Sequence, residues 1–229
     1  MTDLSARTAG LFESIKTGND LAVDTAVGAD PSLLRARGPE GASPVVAALR
    51  AGKPKLAEHL ASRLAATPDG LDVFDAAATD NMAAIRALLA TDRADVDGRG
   101  SDGYAPLHLA AEFGRLETAR LLLGRGADPN AVSMNELRAT PLHSAIAAGH
   151  RDTASLLLAL GASPNAIERG GVSPLHLAAA RGDEAIVDML VLRGADATRR
   201  TDEGKTPADL ADEAGNPALA RVLRTAAKR

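Results

Sequence analysis

Histidine is the side chain of this sequence best suited to acid–base or metal chemistry near neutral pH. The chain has five histidines: His59, His108, His143, His150 and His176. Three of them stand 35 and 33 residues apart, each inside the same short phrase. Histidines scattered at that spacing do not make a metal-binding set, which draws several ligands to one point. We therefore expect no metal site and no catalytic histidine.

Other residues with useful chemistry are also absent or dispersed. The chain has no cysteine, which excludes a disulfide framework, a thiolate zinc site and a cysteine nucleophile. No Gly-x-x-x-x-Gly-Lys-Ser/Thr phosphate loop occurs, and we interpret Gly100-Ser101-Asp102-Gly103 as an ordinary loop. Asp209, Asp212 and Glu213 form an acidic group that we interpret as a solvated face. We therefore expect no cofactor and no enzyme.

The phrase around the histidines repeats and sets a period for the chain. Its copies are Ala105-Pro106-Leu107-His108, Thr140-Pro141-Leu142-His143, Ser173-Pro174-Leu175-His176 and Thr206-Pro207-Ala208-Asp209. A glycine follows each proline by eight residues, and a second glycine follows the first three of these by twelve. The second set is Gly126, Gly161 and Gly194. The proline phrase and the two glycines recur at the same spacing, which indicates an internal repeat.

The same phase continues towards the N-terminus in weaker copies. Ser43-Pro44 and Gly52 form one copy, and Gly18 with Gly28-Ala29-Asp30 forms another. Asp80 stands at the glycine phase between them and the clear block. The sequence therefore predicts seven units, separated by steps of 34, 28, 34, 35, 33 and 33 residues. The phase markers are Gly18, Gly52, Asp80, Gly114, Gly149, Gly182 and Gly215.

Each unit carries the signals of two short helices. The first helical position tolerates a proline, and the Ser or Thr before the proline can cap that end of the helix. The first helix then runs to the phase glycine, and its alanines allow neighbouring units to stack closely. A leucine-rich second helix ends at the second glycine in a left-handed cap. Because no unit can bury its apolar face alone, the units must stack.

These features resemble the ankyrin repeat, specifically over residues 101–224 and more weakly over residues 4–100. The resemblance implies an all-α solenoid of about seven helix-turn-helix repeats joined by hairpin loops, in a single domain over residues 1–229. It also implies that the phrase histidines tie adjacent repeats together. The expected boundaries are 4–37 for an N-terminal capping repeat, 38–69 and 70–100 for two divergent repeats, 101–135, 136–168 and 169–201 for repeats 4 to 6, and 202–229 for a C-terminal capping repeat.

Two irregular steps predict two irregular connections. The 28-residue step leaves too little chain for a full hairpin loop, so we expect an abbreviated loop around residues 66–70. Val46 replaces the phrase histidine in repeat 2, and we expect a kink or weak contact between repeats 2 and 3. The 35-residue step adds two residues to the loop of residues 131–139, which is either a neutral insertion or a projecting binding element.

The resemblance implies binding of another protein through a concave face made of hairpin loops and first helices. Tyr104 and Phe113 would form the centre of that patch, although Phe113 could instead tuck between helices. The candidate binding residues are Ser101, Asp102, Tyr104, Glu112, Phe113, Met134, Glu136, Leu137, Arg138, Arg169, Val172 and Arg181.

The distribution of charge and the hydropathy of the chain limit the classes of partner and the location that we expect. The 26 basic and 30 acidic residues are interspersed, which argues against nucleic acid as a partner. We find no secretory signal and no apolar run long enough to span a membrane, so we expect a monomeric cytoplasmic protein with an unidentified protein partner. The alternatives are a self-associating structural protein and, with less support, a small-molecule binder or enzyme.

Replacing both Tyr104 and Phe113 by alanine is expected to weaken partner binding by about 2 kcal/mol, because aromatic residues dominate binding hot spots. Titration of the partner onto wild type and the double variant, with circular dichroism as the folding control, measures this difference. Unchanged affinity would remove both rings from the interface.

Overall fold

The structure is a computed structural model that describes residues 2–91 and 95–228. Residues 1, 92–94 and 229 belong to the predicted domain range 1–229 but lie outside the described residues, and residues 92–94 also fall within predicted repeat 3. The described chain contains fourteen α-helices, two short 3₁₀ turns and no strand element. This confirms the predicted all-α class.

The fourteen helices form seven consecutive pairs, as the phase markers predict. In chain order they are α1 (Thr2–Thr17), α2 (Asp20–Ala29), α3 (Pro44–Arg50), α4 (Pro54–Ala65), α5 (Val73–Ala78), α6 (Met82–Leu89), α7 (Pro106–Glu112), α8 (Leu116–Gly124), α9 (Pro141–Ala148), α10 (Arg151–Ala159), α11 (Pro174–Ala180), α12 (Glu184–Leu192), α13 (Pro207–Glu213) and α14 (Pro217–Ala226).

The first helices begin where the proline and the residue before it predict. Pro44 and Pro207 occupy the first turn of α3 and α13. The Ser43 hydroxyl accepts the backbone N–H of Val46 at 3.1 Å, and the Thr206 hydroxyl accepts that of Asp209 at 3.3 Å. These contacts satisfy N–H groups that a helix terminus would otherwise leave without a partner.

The phase markers form the sharp turn inside each helix pair. All seven have positive φ, between 59° and 83°, the left-handed region in which glycine has no steric penalty. Asp80 adopts a φ of 59° at its marker position. The second glycines, Gly126, Gly161 and Gly194, are also left-handed and follow the ends of α8, α10 and α12, as predicted.

Gly28 corrects one detail of the predicted alignment. It lies inside α2 and has no positive φ, whereas the glycines with which it was aligned terminate their helices. It follows Gly18 by ten residues instead of twelve, so it reaches the turn position too early. The backbone of Asp30 ends α2, and its side chain caps the 3₁₀ turn Pro31–Arg35 by accepting the Ser32 N–H at 3.0 Å.

The chain divides into two compact units, unit 1 over residues 1–106 and unit 2 over residues 107–229. In unit 1, α1 packs on α2 and α3, α3 packs on α4 and α5, and α5 packs on α6. In unit 2, the first helices α9, α11 and α13 pack in one row and the second helices α8, α10 and α12 in another. Each described unit is therefore a stack of helix pairs in two layers.

Small residues line the first-helix layer and larger residues the space between the layers. Leu122 and Leu157, in second helices, are fully buried, and burial of a leucine stabilises a fold by about 1.5–3 kcal/mol. The first-helix alanines bring backbones close together, and each of the following is 0% exposed: Ala110, Ala111, Ala145, Ala178 and Ala179.

The connection between α4 and α5 is abbreviated, as the 28-residue step predicts. It comprises residues 66–72, whereas residues 160–173 connect α10 to α11. The hairpin loop of repeat 2 instead meets that of repeat 4 within unit 1. A Cβ placed on Gly41 would lie 2.2 Å from the carbonyl oxygen of Ser101, so only glycine allows this approach. The two loops therefore touch across the shortened repeat between them.

Two asparagines, Asn130 and Asn165, tie neighbouring repeats together in unit 2. The Asn130 side chain donates to the Gly161 carbonyl at 2.9 Å and accepts the Ser163 N–H at 2.7 Å. The Asn165 side chain makes the same pair of bonds one repeat later, to Gly194 and Asp196. Each asparagine follows a second glycine by four residues, so the contact repeats with the period of the chain.

None of the helices in residues 2–91 and 95–228 combines the length and apolar character needed to cross a membrane.

Substitution by alanine is expected to change the free energy of unfolding in opposite directions at Gly215 and Gly28. Neither position has atoms within 4 Å of an added Cβ, so only the backbone conformation distinguishes the two substitutions. Gly215 has a φ of 78°, so Gly215→Ala should lower the free energy of unfolding by about 1 kcal/mol through backbone strain. Gly28 is helical, so Gly28→Ala should raise it by about 0.5–1 kcal/mol. Urea denaturation measures both changes, and the same sign at both positions would contradict the assigned conformations.

Removal of the Asn130 side chain is expected to lower the free energy of unfolding by about 2 kcal/mol, because it leaves the Gly161 carbonyl and the Ser163 N–H without this partner. Thr198→Ala is the matched control. Thr198 holds the same place one repeat after Asn165, but its hydroxyl bonds only Asp196 of its own loop, at 2.6 Å. Equal losses of stability in the two variants would show that the asparagine ties contribute nothing specific.

Candidate protein-binding surface

The phrase histidines His108 and His176 join adjacent repeats. The Nδ1 atom of His176 accepts the backbone N–H of Ser173 at 3.2 Å, so its proton resides on Nε2. That Nε2–H donates to the Lys205 carbonyl of the next repeat at 3.1 Å, and burial lowers the pKa of His176, which keeps the ring neutral. His108 makes the equivalent bond to the Ala139 carbonyl at 3.0 Å. These bonds confirm the tying role that the resemblance implies.

His143 departs from the expected tie to the next repeat and shares only half of this arrangement. Its Nδ1 atom accepts the Thr140 backbone N–H at 3.2 Å and contacts the Thr140 hydroxyl at 2.8 Å. Its buried Nε2 atom has no partner within hydrogen-bond distance among the described residues. Burial lowers the pKa of His143 to about 4, a shift that the backbones of Val172 and Ala166 oppose. The ring is therefore neutral and enclosed between repeats 5 and 6.

His59 has an acidic neighbour that its position in the sequence does not indicate. Its Nε2 atom lies 2.7 Å from a carboxylate oxygen of Asp24, and both side chains are about half exposed. Asp24 is on α2 and His59 on α4, 35 residues apart, so one repeat length brings them together. The pair is an exposed contact between repeats.

The described hairpin loops share one closing hydrogen bond. The backbone N–H of one residue donates to the carbonyl four residues later, as from Glu168 to Val172 at 3.0 Å and from Thr201 to Lys205 at 2.9 Å. In the inserted loop the Ser133 N–H donates to the Ala139 carbonyl, six residues later, at 2.8 Å. The two extra residues therefore project beyond an intact closing bond. We call residues 133–139 the finger.

The finger exposes the apolar side chains of Met134 and Leu137. Met134 is 79% exposed and Leu137 is 49% exposed, although both are large apolar residues. The Asn135 side chain accepts the Ser133 hydroxyl at 2.8 Å and the Leu137 N–H at 3.2 Å, which braces the finger from within. Exposed apolar groups on a braced loop can bind another protein with little loss of conformational entropy.

Backbone hydrogen bonds join the finger to the next two loops of unit 2. The Arg169 N–H donates to the Leu137 carbonyl at 2.8 Å, and the Asp202 N–H donates to the Gly170 carbonyl at 2.8 Å. The Arg169 guanidinium also lies 2.5 Å from the Glu136 carboxylate, and both side chains are mostly exposed. The structure therefore brings the predicted residues Met134, Glu136, Leu137, Arg138 and Arg169 together.

The other predicted residues of unit 2 are less accessible or lie on different elements. Val172, Glu112 and Phe113 are half-buried. Arg181 is exposed, and its guanidinium donates to the Ala147 carbonyl at 2.7 Å, next to the α9 turn. An added Cβ on Gly149 would lie 2.5 Å from this guanidinium, so the turn glycine makes room for it.

The predicted residues of unit 1 gather around Arg50. Asp102 is buried, its carboxylate accepts the Tyr104 N–H at 3.2 Å, and the Arg50 guanidinium lies 3.4 Å from it. The same guanidinium lies 5.3 Å from the centroid of the half-buried Tyr104 ring, a cation–π distance. Ser101 is exposed. Asp102 therefore holds Arg50 and Tyr104 in place and offers little surface itself.

The run from Gly98 to Gly103 fits the Gly-x-Gly-x-x-Gly spacing of dinucleotide-binding loops, but its setting does not. Such a loop must follow a strand of a parallel sheet. Here the run lies in a hairpin loop closed by the Gly100 N–H and the Tyr104 carbonyl at 2.9 Å, and none of residues 95–105 is in a strand. This confirms its interpretation as an ordinary loop.

Two clefts on the described surface have polar groups that are already engaged. A cleft of about 360 Å³ in unit 1 is lined in part by Arg35, whose guanidinium bonds Thr67 and the Gly70 carbonyl. A cleft of about 520 Å³ in unit 2 is lined in part by Arg151 and Asp183, which pair at 2.9 Å. Among residues 2–91 and 95–228, no group of three or more His, Asp or Glu residues could hold a metal ion.

Two exposed apolar residues near the finger were not among the predicted contacts. Val132 precedes the finger and is 40% exposed, and Ile167, on the next loop, is 39% exposed. The signal that could have found them is an apolar residue in a turn-rich connection. Between them and Val172 lies Glu168, a half-buried residue whose pKa is raised by burial to about 7.

Comparison with known proteins agrees with the helix pairs and their period. A family model described as ankyrin repeats (3 copies) matches residues 45–133, 73–168 and 130–201, which together span more than half of the chain. Delta-latroinsectotoxin-Lt1a from Latrodectus tredecimguttatus is 40% identical over 52 residues, which are 23% of this chain and 4% of the toxin. That likeness covers a short segment of a much longer protein. The chain belongs to the ankyrin-repeat family.

Proposed function

We propose that this protein binds a partner protein, without catalysing a reaction, through the finger and the adjacent loop of repeat 6. Ankyrin repeats generally mediate interactions between proteins, and the family is typically non-enzymatic. The proposed contact surface consists of hairpin loops and the exposed ends of first helices in unit 2. The observation that carries the proposal is the exposure of Met134 and Leu137 on a braced loop.

The chemistry of the finger supports an apolar contact surrounded by charge. Met134 and Leu137 supply apolar area, and Glu136, Arg138 and Arg169 surround it with both signs of charge. This combination matches protein interfaces, in which an apolar centre excludes water and a polar rim sets orientation. Arg138 has a φ of 53°, and this left-handed backbone shapes the descending side of the finger.

The first-helix ends next to the loops favour a close approach by a partner. Ala147, Ala148 and Ala180 are exposed at the ends of α9 and α11, where larger side chains would stand between the two backbones. Arg181 follows Ala180 and adds a positive charge at this edge. A partner that covers the finger could therefore also lie against α9 and α11.

Replacement of Met134 and Leu137 by alanine is expected to weaken partner binding about tenfold or more, because truncation of apolar anchors at an interface centre costs more than about 1.4 kcal/mol. A library of protein fragments from the source organism, displayed on yeast and selected on the purified chain, supplies binders. Interferometry then compares the affinity of each binder for wild type and the double variant.

The matched control replaces Leu192 and Val222 by alanine. These residues are 87% and 51% exposed on the second helices α12 and α14, which are not part of the proposed surface. The control should keep wild-type affinity. Binders that lose affinity equally with both double variants, or with neither, would contradict the proposed surface.

The oligomeric state separates this function from self-association. A protein that uses the finger for a different partner should remain monomeric in sedimentation at both low and high concentration. A dimer that disappears on replacement of Met134 and Leu137 would instead favour the self-associating structural role.

A further inference from the structure

Asp75 is a buried carboxylic acid in the contact between repeats 2 and 3. It is 1% exposed in the first turn of α5, the position that the phrase histidine occupies in repeats 4 to 6. Its carboxyl group contacts the Ser43 hydroxyl, which belongs to the cap of α3 in the preceding repeat. Asp75 therefore supplies a side-chain contact between two repeats whose junction lacks the histidine tie.

The groups around Asp75 only partly compensate a negative charge there. Asp72, the cap of α5, accepts the Asp75 N–H at 2.8 Å and adds a second carboxylate. Arg37 lies 3.4 Å from Asp72, and Arg35 bonds Thr67 and the Gly70 carbonyl, so both arginines are engaged with other groups. Asp75 forms no ion pair among the described residues.

The helices packed on α5 bring no charge to Asp75 either. Their charged side chains are Arg50 on α3, which lies 3.4 Å from Asp102, and Arg86 on α6, which is exposed. Burial, reinforced by Asp72, raises the pKa of Asp75 to about 7, and the Ser43 contact and the two arginines only partly oppose this shift. The carboxyl group therefore ionises near neutral pH.

Asp209 shows what the same position does when its side chain is partly exposed. It replaces the phrase histidine in repeat 7, and its carboxylate accepts the Thr206 N–H at 2.9 Å and the Thr206 hydroxyl at 2.7 Å. These hydrogen bonds lower the pKa of Asp209. The pKa values of two aspartates at equivalent positions are thus shifted in opposite directions, because burial dominates at Asp75 and hydrogen bonds to the carboxylate dominate at Asp209.

The contact between repeats 2 and 3 lacks two features of the later repeats. Val46 stands where a histidine would tie repeat 2 to repeat 3. The connection between α4 and α5 is too short to form the full hairpin loop that joins other repeats. An ionised Asp75 therefore destabilises a contact that has neither of these supports.

We propose that the packing of α5 on α3 around the buried Asp75 is a proton-dependent switch, which is closed when Asp75 is protonated and opens locally when Asp75 ionises. Opening admits water to the carboxylate and relieves its repulsion from Asp72. The sign follows from linkage: a carboxyl group whose pKa is raised in the folded state stabilises the closed form at acidic pH. That stabilisation falls as pH rises from the unfolded pKa to the folded pKa.

Hydrogen exchange at the amides of Ala76, Ala77 and Ala78 tests the switch in the full-length chain. Asp75→Asn keeps the shape of the protonated acid and cannot ionise. The ratio of the wild-type exchange rate to the Asp75→Asn rate, at equal pH, cancels the intrinsic pH dependence of exchange. We expect this ratio to rise about tenfold per pH unit between pH 5 and pH 7 and to level off above pH 7.

Asp209→Asn is the matched control, with the same substitution at the equivalent, partly exposed position. Its exchange ratio at α5 should stay constant with pH. A ratio for Asp75→Asn that also stays constant would overturn the proposal.

A second measurement does not depend on the variant folding. The carboxyl carbon resonance of Asp75 in the wild-type chain should titrate with a midpoint near pH 7, whereas the Thr206 hydrogen bonds should hold the midpoint of Asp209 below the usual range of an aspartate. A midpoint for Asp75 below pH 5 would also overturn the proposal.

Discussion

The structure depends on one constraint: the apolar face of each helix pair is covered only by its neighbours. The buried alanines of the first helices set the distance between repeats, and the buried leucines of the second helices fill the space that remains. Caps, turn glycines and histidine ties all act to hold successive pairs in this register. Short side chains in the first-helix layer are therefore a requirement of the stacking as well as a feature of composition.

Features that recur in each repeat could be predicted from the sequence, because the same structural role selects the same residue type at each equivalent position. The proline starts, the left-handed turns and the shortened and lengthened connections all agree with the structure. The contacts between Asp24 and His59 and between Ser43 and Asp75 were not predicted. Each joins residues about one repeat apart, and no recurring phrase marks Asp24, His59 or Asp75, so only the folded stack brings the partners together.

The candidate binding surface was predicted less completely than the fold. The projection of the finger follows from its two extra residues, and the exposure of Met134 and Leu137 agrees with the predicted contact set. Asp102 shows the limit of positional reasoning. Its place in a hairpin loop suggests access to a partner, but it is drawn inwards by Arg50 and the Tyr104 backbone. The sequence position of a residue predicts that it lies in a loop, whereas its side-chain contacts determine whether it is accessible to a partner.

The close approach of Gly41 to Ser101 changes how unit 1 is expected to fold. Stability in repeat proteins is commonly treated as a sum over adjacent repeats, so that one end can unfold while the other persists. This contact links two loops of unit 1 whose closest residues are 60 positions apart. Such a link raises the contact order of unit 1, which slows folding. The helices α5 and α6 lie between the two linked loops along the chain, so their folding is coupled to more than the adjacent helix pair.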